Sequence, residues 1–209
     1  MGPPPRAVLT SRYASAVAYA VRVHATQFRK GTTVPYASHL LGCSALVLEA
    51  GGDEDLAIAA LLHDAAEDHG GEQRLADIEE RFGVRVAGIV RDCSDSLAPE
   101  GMEKRDWETR KREHLARIRS VSGDTLTVWA ADKVHNARAI VTDLLAGGDV
   151  GAMSRFHAPP ARILWYYEEN LALIEAGQVS DLLVVPLRLA VTQMRQLLQE
   201  VLESPEREA

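Results

Sequence analysis

The chain has 209 residues, of which 46% are hydrophobic and 25% charged, so it can bury the core of one domain and is short for two. Its net charge of -7 and the lack of a long lysine- and arginine-rich run argue against binding to a nucleic acid backbone. No apolar run reaches membrane-spanning length and the Met-Gly-Pro-Pro-Pro start lacks a secretion signal's apolar core, so we expect a cytoplasmic protein without nucleic acid or membrane partners.

Apolar residues recur at helical spacing along most of the chain. Residues 1–9 contain three prolines and are expected to form a disordered arm, and residues 10–205 to form one domain. Glycine pairs or prolines separate most of the predicted helices, which are 11–28, 38–50, 54–69, 74–82, 84–94, 104–120, 124–145, 159–176 and 181–202. Because no alternating strand pattern, repeat or linker interrupts them, we predict an all-α, single-domain helical bundle.

The helix predicted over 54–69 ends in the polar group His63, Asp64, Glu67 and Asp68. On one continuous helix these four side chains fall within an arc of roughly 140°. Three carboxylates so close together repel one another, and a divalent cation would offset that repulsion. The adjacent His63 and Asp64 can converge on such a cation only if both lie beside it at the helix end.

Two further ligands must come from other parts of the chain. His39 begins the helix predicted over 38–50, and Asp132 begins the polar segment 132–136. With His63 and Asp64 they form a mixed imidazole and carboxylate set, which suits Mn²⁺, Fe²⁺ or Zn²⁺ better than Ca²⁺.

Glu67 and Asp68 lie one turn beyond these metal ligands. At that spacing they would reach water or substrate beside the metal rather than the metal itself. We therefore predict that they act as general base or acid.

The two cysteines, Cys43 and Cys93, lie in no CxxC pattern. Neither has a histidine at the spacing typical of zinc ligands. Both are therefore expected to be buried thiols in a reducing cytosol.

Three separated blocks, in order, resemble the HD superfamily of metal-dependent phosphohydrolases. HATQFRKGTTVPYASH over 24–39 is similar to the pattern HxGQxRK…PYxxHP, AALLHDAAED over 59–68 to AALLHDxxED, and DKVHN over 132–136 to DKxxN. These patterns are typical of the hydrolase domain of RelA/SpoT enzymes and of small stand-alone alarmone hydrolases, including the metazoan SpoT homolog. The resemblance covers about 11–173.

The resemblance implies hydrolysis of the 3′-pyrophosphate of (p)ppGpp, with Mn²⁺ as the usual metal. It implies that the four residues named above are metal ligands and that Glu67 and Asp68 activate water. The substrate-binding residues implied are Arg29, stacked on the base, with Lys30 nearby, Asn136 at the ribose or a phosphate, and Arg162, Tyr166 and Lys111 at phosphates. No synthetase domain fits in this length, so hydrolysis alone is expected.

The chain departs from the family pattern at a position that matters for the base. Ala139 lies three residues after Asn136, where several members carry a threonine that helps to read guanine. Hydrolysis of (p)ppApp, removal of the 2′-phosphate of NADPH and hydrolysis of nucleoside 5′-monophosphates therefore stay open. So do a non-catalytic nucleotide-sensing module and a homo-oligomer.

Overall fold

The computed structural model describes residues 7–97, 106–121, 123–147, 153 and 158–203, with side chains up to residue 199. The described residues form ten helices and no strand, which confirms the all-α prediction. The helices are α1 Ser11–Val23, α2 Ala37–Glu49, α3 Glu54–Leu62, α4 Ala65–Asp68, α5 Gly71–Phe82, α6 Val84–Cys93, α7 Trp107–Ile118, α8 Gly123–Gly147, α9 Pro160–Ala176 and α10 Asp181–Glu203. None of them is long and apolar enough to cross a bilayer.

Most of the predicted arm, 1–6, lies outside the described residues. Its last part meets the domain at Thr10, which caps α1 by accepting a hydrogen bond from the backbone N–H of Arg12. The backbone N–H and hydroxyl of Thr10 also donate to Glu54, at 2.6 and 2.8 Å. The start of α1 is thereby joined to the start of α3.

Helix α3 is the centre of the core. All of its residues from Leu56 to Leu62 are buried, and it packs against α1, α2, α6 and α8. The long helix α8 lies between α2 and α10. This packing brings the start of α2, the end of α3 and the middle of α8 together, and these are the places where the predicted metal ligands occur.

The prediction of one continuous helix over 54–69 is wrong. Helix α3 ends at Leu62, and α4 begins only at Ala65. Asp64, with φ -95° and ψ -7°, leaves regular helical geometry. His63 is directed back along α3, its Nδ1 lying 2.8 Å from the carbonyl oxygen of Ala60. Because of this break, the four polar side chains of 63–68 do not share one face of a continuous helix, as the predicted arc required.

Two other predicted boundaries also move. Helix α1 ends at Val23 rather than at 28, because Phe28 pairs with Pro35 in an isolated bridge that shapes the following loop. Helix α5 begins at Gly71 rather than at 74, after Gly70 takes a left-handed φ of 97°. The segment between α4 and α5 is therefore shorter than the interruption over 70–73 that the sequence predicted. The first residues of the helix predicted over 104–120 lie outside the described part of the chain.

Candidate metal centre and adjoining cavity

The four predicted metal ligands converge at the break between α3 and α4. His39 Nε2 lies 3.3 Å from Asp132 Oδ1 and 3.6 Å from Asp64 Oδ2. His63 Nε2 lies 3.0 Å from Asp64 Oδ2 and 3.7 Å from Asp132 Oδ1. Both histidines and Asp132 are buried. Because His63 and Asp64 occupy the break itself, two adjacent residues can face the same point.

The protonation pattern of His63 fits a cation at that point. Its Nδ1 faces the carbonyl oxygen of Ala60, so Nδ1 carries a proton, and Nε2 faces the carboxylates as the atom that a second proton or a metal ion can bind. His63 Nε2 is buried and has no hydrogen-bond partner among the described residues. A lone pair 3.0 Å from a carboxylate oxygen repels it unless a positive charge lies between them. The donor set therefore fits a divalent ion with imidazole and carboxylate ligands.

The pKa shifts of the same residues show that the site favours a positive charge between its carboxylates. Burial opposes the protonation of His63, but the nearby carboxylates of Asp64 and Asp132 raise the pKa of His63 well above its ordinary value. Burial likewise opposes the ionisation of Asp132, yet Lys133 and the two histidines hold the pKa of Asp132 well below its usual range. The centre is built to keep its carboxylates charged.

Lys133, which is not among the predicted site residues, is a buried partner of the centre. Its Nζ lies 2.6 Å from Asp132 Oδ2 and 3.5 Å from the centre of the Trp129 ring. Asn136 donates to the other oxygen, Asp132 Oδ1, at 2.5 Å. These contacts fix the orientation of the Asp132 carboxylate.

His135 contacts the centre from behind His39. Its Nδ1 lies 3.0 Å from Nδ1 of His39. Gly42 makes the contact possible, since a Cβ there would stand 2.3 Å from the His135 ring. With one Nδ1 donating and the other accepting, His135 orients the imidazole of His39.

We expect Gly42→Ala to displace the His135 ring and to weaken binding of a divalent ion by about tenfold, the scale of losing a hydrogen-bond partner of a metal ligand. Titration of the metal-free protein with Mn²⁺ measures this. Gly88→Ala is the matched control, because it also adds a methyl group to a helical glycine but meets nothing within 4 Å in the described part of the chain. Equal affinities of the two variants would contradict the role of His135.

Cys43 lies in the cluster as well. Both cysteines are buried, as predicted, but Cys43 Sγ lies 3.5 Å from Nδ1 and 3.7 Å from Nε2 of His39. The expectation that neither cysteine has a histidine at the spacing typical of zinc ligands is therefore wrong for Cys43, because His39 and Cys43 are one helical turn apart on α2. Donor atoms of His39, Cys43, His63 and Asp132 all lie within 4.8 Å of one another.

Glu67 and Asp68 lie on α4, directly after the break. Glu67 Oε2 accepts a hydrogen bond from the backbone N–H of Asp95 at 2.7 Å, and Asp68 Oδ2 accepts one from the side chain of Gln27 at 2.8 Å. Burial, followed by the charges of Asp95 and Asp64, raises the pKa of Glu67 to about 7. A carboxyl group with such a pKa can exchange a proton near neutral pH.

A cavity of about 470 Å³ adjoins the centre. Tyr36 connects the two, since it lines the cavity and its hydroxyl donates to Asp64 Oδ2 at 2.6 Å. Five of the six predicted substrate-binding residues line this cavity: Arg29, Lys30, Lys111, Asn136 and Tyr166.

The sixth predicted substrate-binding residue, Arg162, does not line the cavity. Its guanidinium pairs with Glu108 at 2.9 Å, and its side chain is 57% exposed. Arg162 and Tyr166 both lie on α9, but Tyr166 is buried in the wall of the cavity whereas Arg162 lies at the surface. Spacing along one helix could not distinguish these two environments.

One part of the cavity wall is cationic. The ammonium groups of Lys111 and Lys133 lie 5.2 and 5.4 Å from the centre of the Tyr166 ring. The hydroxyl of Tyr166 is buried without a hydrogen-bond partner among the described side chains and backbone. Lys111 is held in place by Asp95, whose Oδ2 lies 2.5 Å from its Nζ. Two cations and a free hydroxyl form a suitable surface for an anionic group.

Another part of the wall is apolar and carries a planar cation. Val34, Ala139 and Ile140 line it. The guanidinium of Arg29 donates to Asn136 Oδ1 at 2.7 Å and lies 5.8 Å from the centre of the Tyr36 ring. A flat, partly apolar group such as a nucleobase fits between a guanidinium plane and aliphatic side chains.

Residues 16–145 match the family model described as HD domain. The chain is 30% identical over 141 residues to the guanosine-3′,5′-bis(diphosphate) 3′-pyrophosphohydrolase MESH1 of Drosophila melanogaster. The aligned region covers 66% of this chain and 74% of the Drosophila protein. It is 43% identical over 72 residues to the guanosine-3′,5′-bis(diphosphate) 3′-pyrophosphohydrolase of Aquifex aeolicus, but spans only 10% of that longer protein.

Solved structures share the fold. A metazoan ortholog of SpoT, described as hydrolysing ppGpp, superposes with a TM-score of 0.73 and 24% identity, over 91% of this chain and 98% of the other. A Listeria monocytogenes protein superposes with a TM-score of 0.63 and 24% identity, over 79% and 96%. At this level of identity the likeness establishes the arrangement of the helices, and the activity must be argued from the residues of the site.

Proposed function

The chain belongs to the HD-domain family, and from that premise we propose that it is a metal-dependent hydrolase of (p)ppGpp-type alarmones, removing the 3′-pyrophosphate to leave GDP or GTP. The observation that carries the proposal is the position of the cavity. A wall with two lysines and a wall suited to a base meet next to a four-ligand centre and a carboxyl group with a pKa of about 7. Cytoplasmic location and a homo-oligomer stay predictions.

We propose His39, His63, Asp64 and Asp132 as the ligands of the metal, with Mn²⁺ as the physiological ion. A divalent ion bound there supplies positive charge to the phosphoryl oxygens and makes a nearby water more acidic. Glu67 accepts the proton of the attacking water, and Asp68, held by Gln27, assists. Water attacks phosphorus directly, because none of the proposed site residues is a nucleophilic serine or an exposed cysteine.

The remaining cavity residues bind the nucleotide. Arg29 stacks on the base with Lys30 beside it, and Asn136 lies within reach of the ribose or a phosphate. Lys111 and the hydroxyl of Tyr166 meet phosphate oxygens. Arg162 joins them only if it exchanges its ion pair with Glu108 for a phosphate.

A substrate panel with added Mn²⁺ tests the proposal: ppGpp, ppApp, NADPH and deoxynucleoside 5′-monophosphates, with Asp64→Ala as the inactive control. We expect pyrophosphate release from the 3′-pyrophosphorylated nucleotides. Turnover of the monophosphates alone would overturn it. Binding of ppGpp without turnover in excess Mn²⁺, unchanged by Glu67→Gln, would instead favour a sensor.

The adenine alarmone is the second candidate substrate, because Ala139 lines the cavity without a hydrogen-bonding group. We expect Ala139→Thr to raise kcat/KM for ppGpp relative to ppApp by about two- to tenfold, the value of one added hydrogen bond. Ala139→Val is the matched control, with the same shape and no hydroxyl. If valine produces the same change, the effect is steric and the hydrogen bond is not involved.

A further inference from the structure

Two side chains compete to complete the metal centre. Asp64 approaches His63 and His39 at 3.0 and 3.6 Å, and its side chain is 23% exposed. Cys43 approaches His39 Nε2 at 3.7 Å and is fully buried. One side of the centre therefore offers a hard carboxylate oxygen near solvent, and the other offers a sulfur inside the core.

The spacing of the donors around Cys43 suits a tetrahedral ion. Zinc bonds of about 2.0–2.3 Å to nitrogen, oxygen and sulfur place neighbouring ligands about 3.3–3.7 Å apart. The distances that involve His39 Nε2 already match, at 3.3 Å to Asp132 Oδ1 and 3.7 Å to Cys43 Sγ. His63 Nε2 lies 3.7 Å from the same Asp132 oxygen, and no pair in the group exceeds 4.8 Å. Small side-chain rotations close the remaining gaps.

His63 independently indicates a ligand at this point. His63 is only 3% exposed, and its buried Nε2 makes no hydrogen bond with any described residue. An imidazole nitrogen kept dry and unpaired costs free energy unless something binds it. Cys43 therefore lies beside an open coordinating atom, in a cluster that already contains a second imidazole and a carboxylate.

We propose that Cys43 is a metal ligand and that His39, Cys43, His63 and Asp132 form a second binding mode of the centre, selective for thiophilic divalent ions such as Zn²⁺. Sulfur bonds to the ion as thiolate, and the thiol proton passes to water, so binding releases a proton. Soft thiolate ligands favour zinc, whereas Mn²⁺ prefers carboxylate oxygen and keeps the Asp64 mode.

The two binding modes differ in whether the metal ion keeps a coordination position for water. Four protein ligands around a tetrahedral ion form a closed site, without a position for a reacting water. Zinc held through Cys43 therefore inhibits the hydrolysis that Mn²⁺ supports, a consequence that rests on the proposed function. The binding mode itself does not depend on the identity of the substrate.

Cobalt spectroscopy tests the binding mode without any substrate. Co²⁺ accepts the same tetrahedral donors as Zn²⁺, and a thiolate ligand gives it a charge-transfer absorption in the near ultraviolet. We expect this band in the full-length wild-type chain and in Cys93→Ala, which removes the other buried thiol. Cys43→Ala should lack the band. A wild-type cobalt protein without the band overturns the proposal even if no variant folds.

Zinc titration gives the second measurement. We expect Cys43→Ala to weaken Zn²⁺ affinity by about a hundredfold or more, since even the loss of a ligand's outer partner costs about 10–100-fold. The half-inhibitory zinc concentration, measured against each variant's own Mn²⁺-supported rate, should rise in parallel. Unchanged zinc affinity in a folded Cys43→Ala protein overturns the ligand role. Absence of alarmone turnover with the cobalt band present would refute the proposed function alone.

Discussion

Replacement of Asp132 by asparagine is expected to abolish Mn²⁺-dependent hydrolysis and to lower the free energy of unfolding by about 3–5 kcal/mol, the usual cost of removing one partner of a buried ion pair. Asp132 Oδ1 faces both histidines, so the centre loses a charged ligand. Asp132 Oδ2 binds Lys133, and both side chains are only 8% exposed, so the ammonium would remain buried without its partner. Metal titration and urea unfolding of the metal-free protein measure the two effects.

A double variant separates the two roles of Asp132. Lys133→Met in the Asp132→Asn background removes the stranded charge and should recover most of the lost stability while activity stays absent. Asp64→Ala is the comparison for a ligand near solvent. It should also abolish activity, but with a smaller loss of stability, because Asp64 is 23% exposed and no lysine of the described ranges lies as close to it as Lys133 lies to Asp132. If Asp132→Asn leaves stability unchanged, the buried pair does not contribute as argued.

Glu67→Gln is expected to lower kcat by about 10²–10⁴-fold, the usual contribution of a general base. Mn²⁺ affinity should change little, because Glu67 accepts a hydrogen bond from the backbone N–H of Asp95 and is not one of the four proposed ligands. Glu72→Gln, an exposed neighbour on α5 that pairs with Arg91, is the matched control and should keep full activity. Loss of metal binding in Glu67→Gln would make Glu67 a ligand rather than a base.

The same substitution should increase stability at alkaline pH. In the folded metal-free protein the pKa of Glu67 is raised to about 7, mainly by burial, above the value near 4.3 of an unfolded chain. The folded state therefore holds this proton more tightly, and wild-type stability falls as pH rises from about 4.3 through about 7. Glu67→Gln removes that loss, so its Tm should exceed that of wild type more at pH 8 than at pH 5. A constant difference would contradict the raised pKa.

Activity should follow the ionisation of the same carboxyl group. A general base works only when deprotonated, so kcat/KM of the wild type should rise with pH over the range in which Glu67 ionises. A bound divalent ion lowers the pKa of a nearby carboxyl group, which moves the midpoint below about 7. The residual activity of Glu67→Gln should lack this acidic limb.

Local sequence patterns were sufficient to predict the fold class, most of the helices and the group of residues that forms the proposed metal centre. Helical periodicity depends on which residues within one turn are apolar, so the fold class and most of the helices could be predicted. The three motif blocks also contain all four proposed ligands, which lie near the start of α2, directly after α3 and in the middle of α8. Tertiary packing then brought these four side chains together.

The break after Leu62 could not be read from the sequence in this way. Residues 54–69 form an uninterrupted helical pattern, and nothing in their composition marks His63 as a helix end. The break is accompanied by the hydrogen bond from His63 to the carbonyl oxygen of Ala60, and by a hydrogen bond to Asp64 from Tyr36, which directly precedes α2. Local propensity carries no information about a partner that arrives through packing.

The sequence by itself determined the class of chemistry, because imidazole and carboxylate groups in those blocks suit few ions and few reactions. Only the tertiary structure decided which neighbours contact the proposed ligands. His135 contacts His39, Lys133 forms an ion pair with Asp132, and Cys43 lies among the donor atoms of the cluster. It also separated Tyr166, in the cavity, from Arg162, at the surface. These differences arise from contacts between residues far apart in the chain, where small rotations of a helix decide whether a side chain faces the site or the solvent.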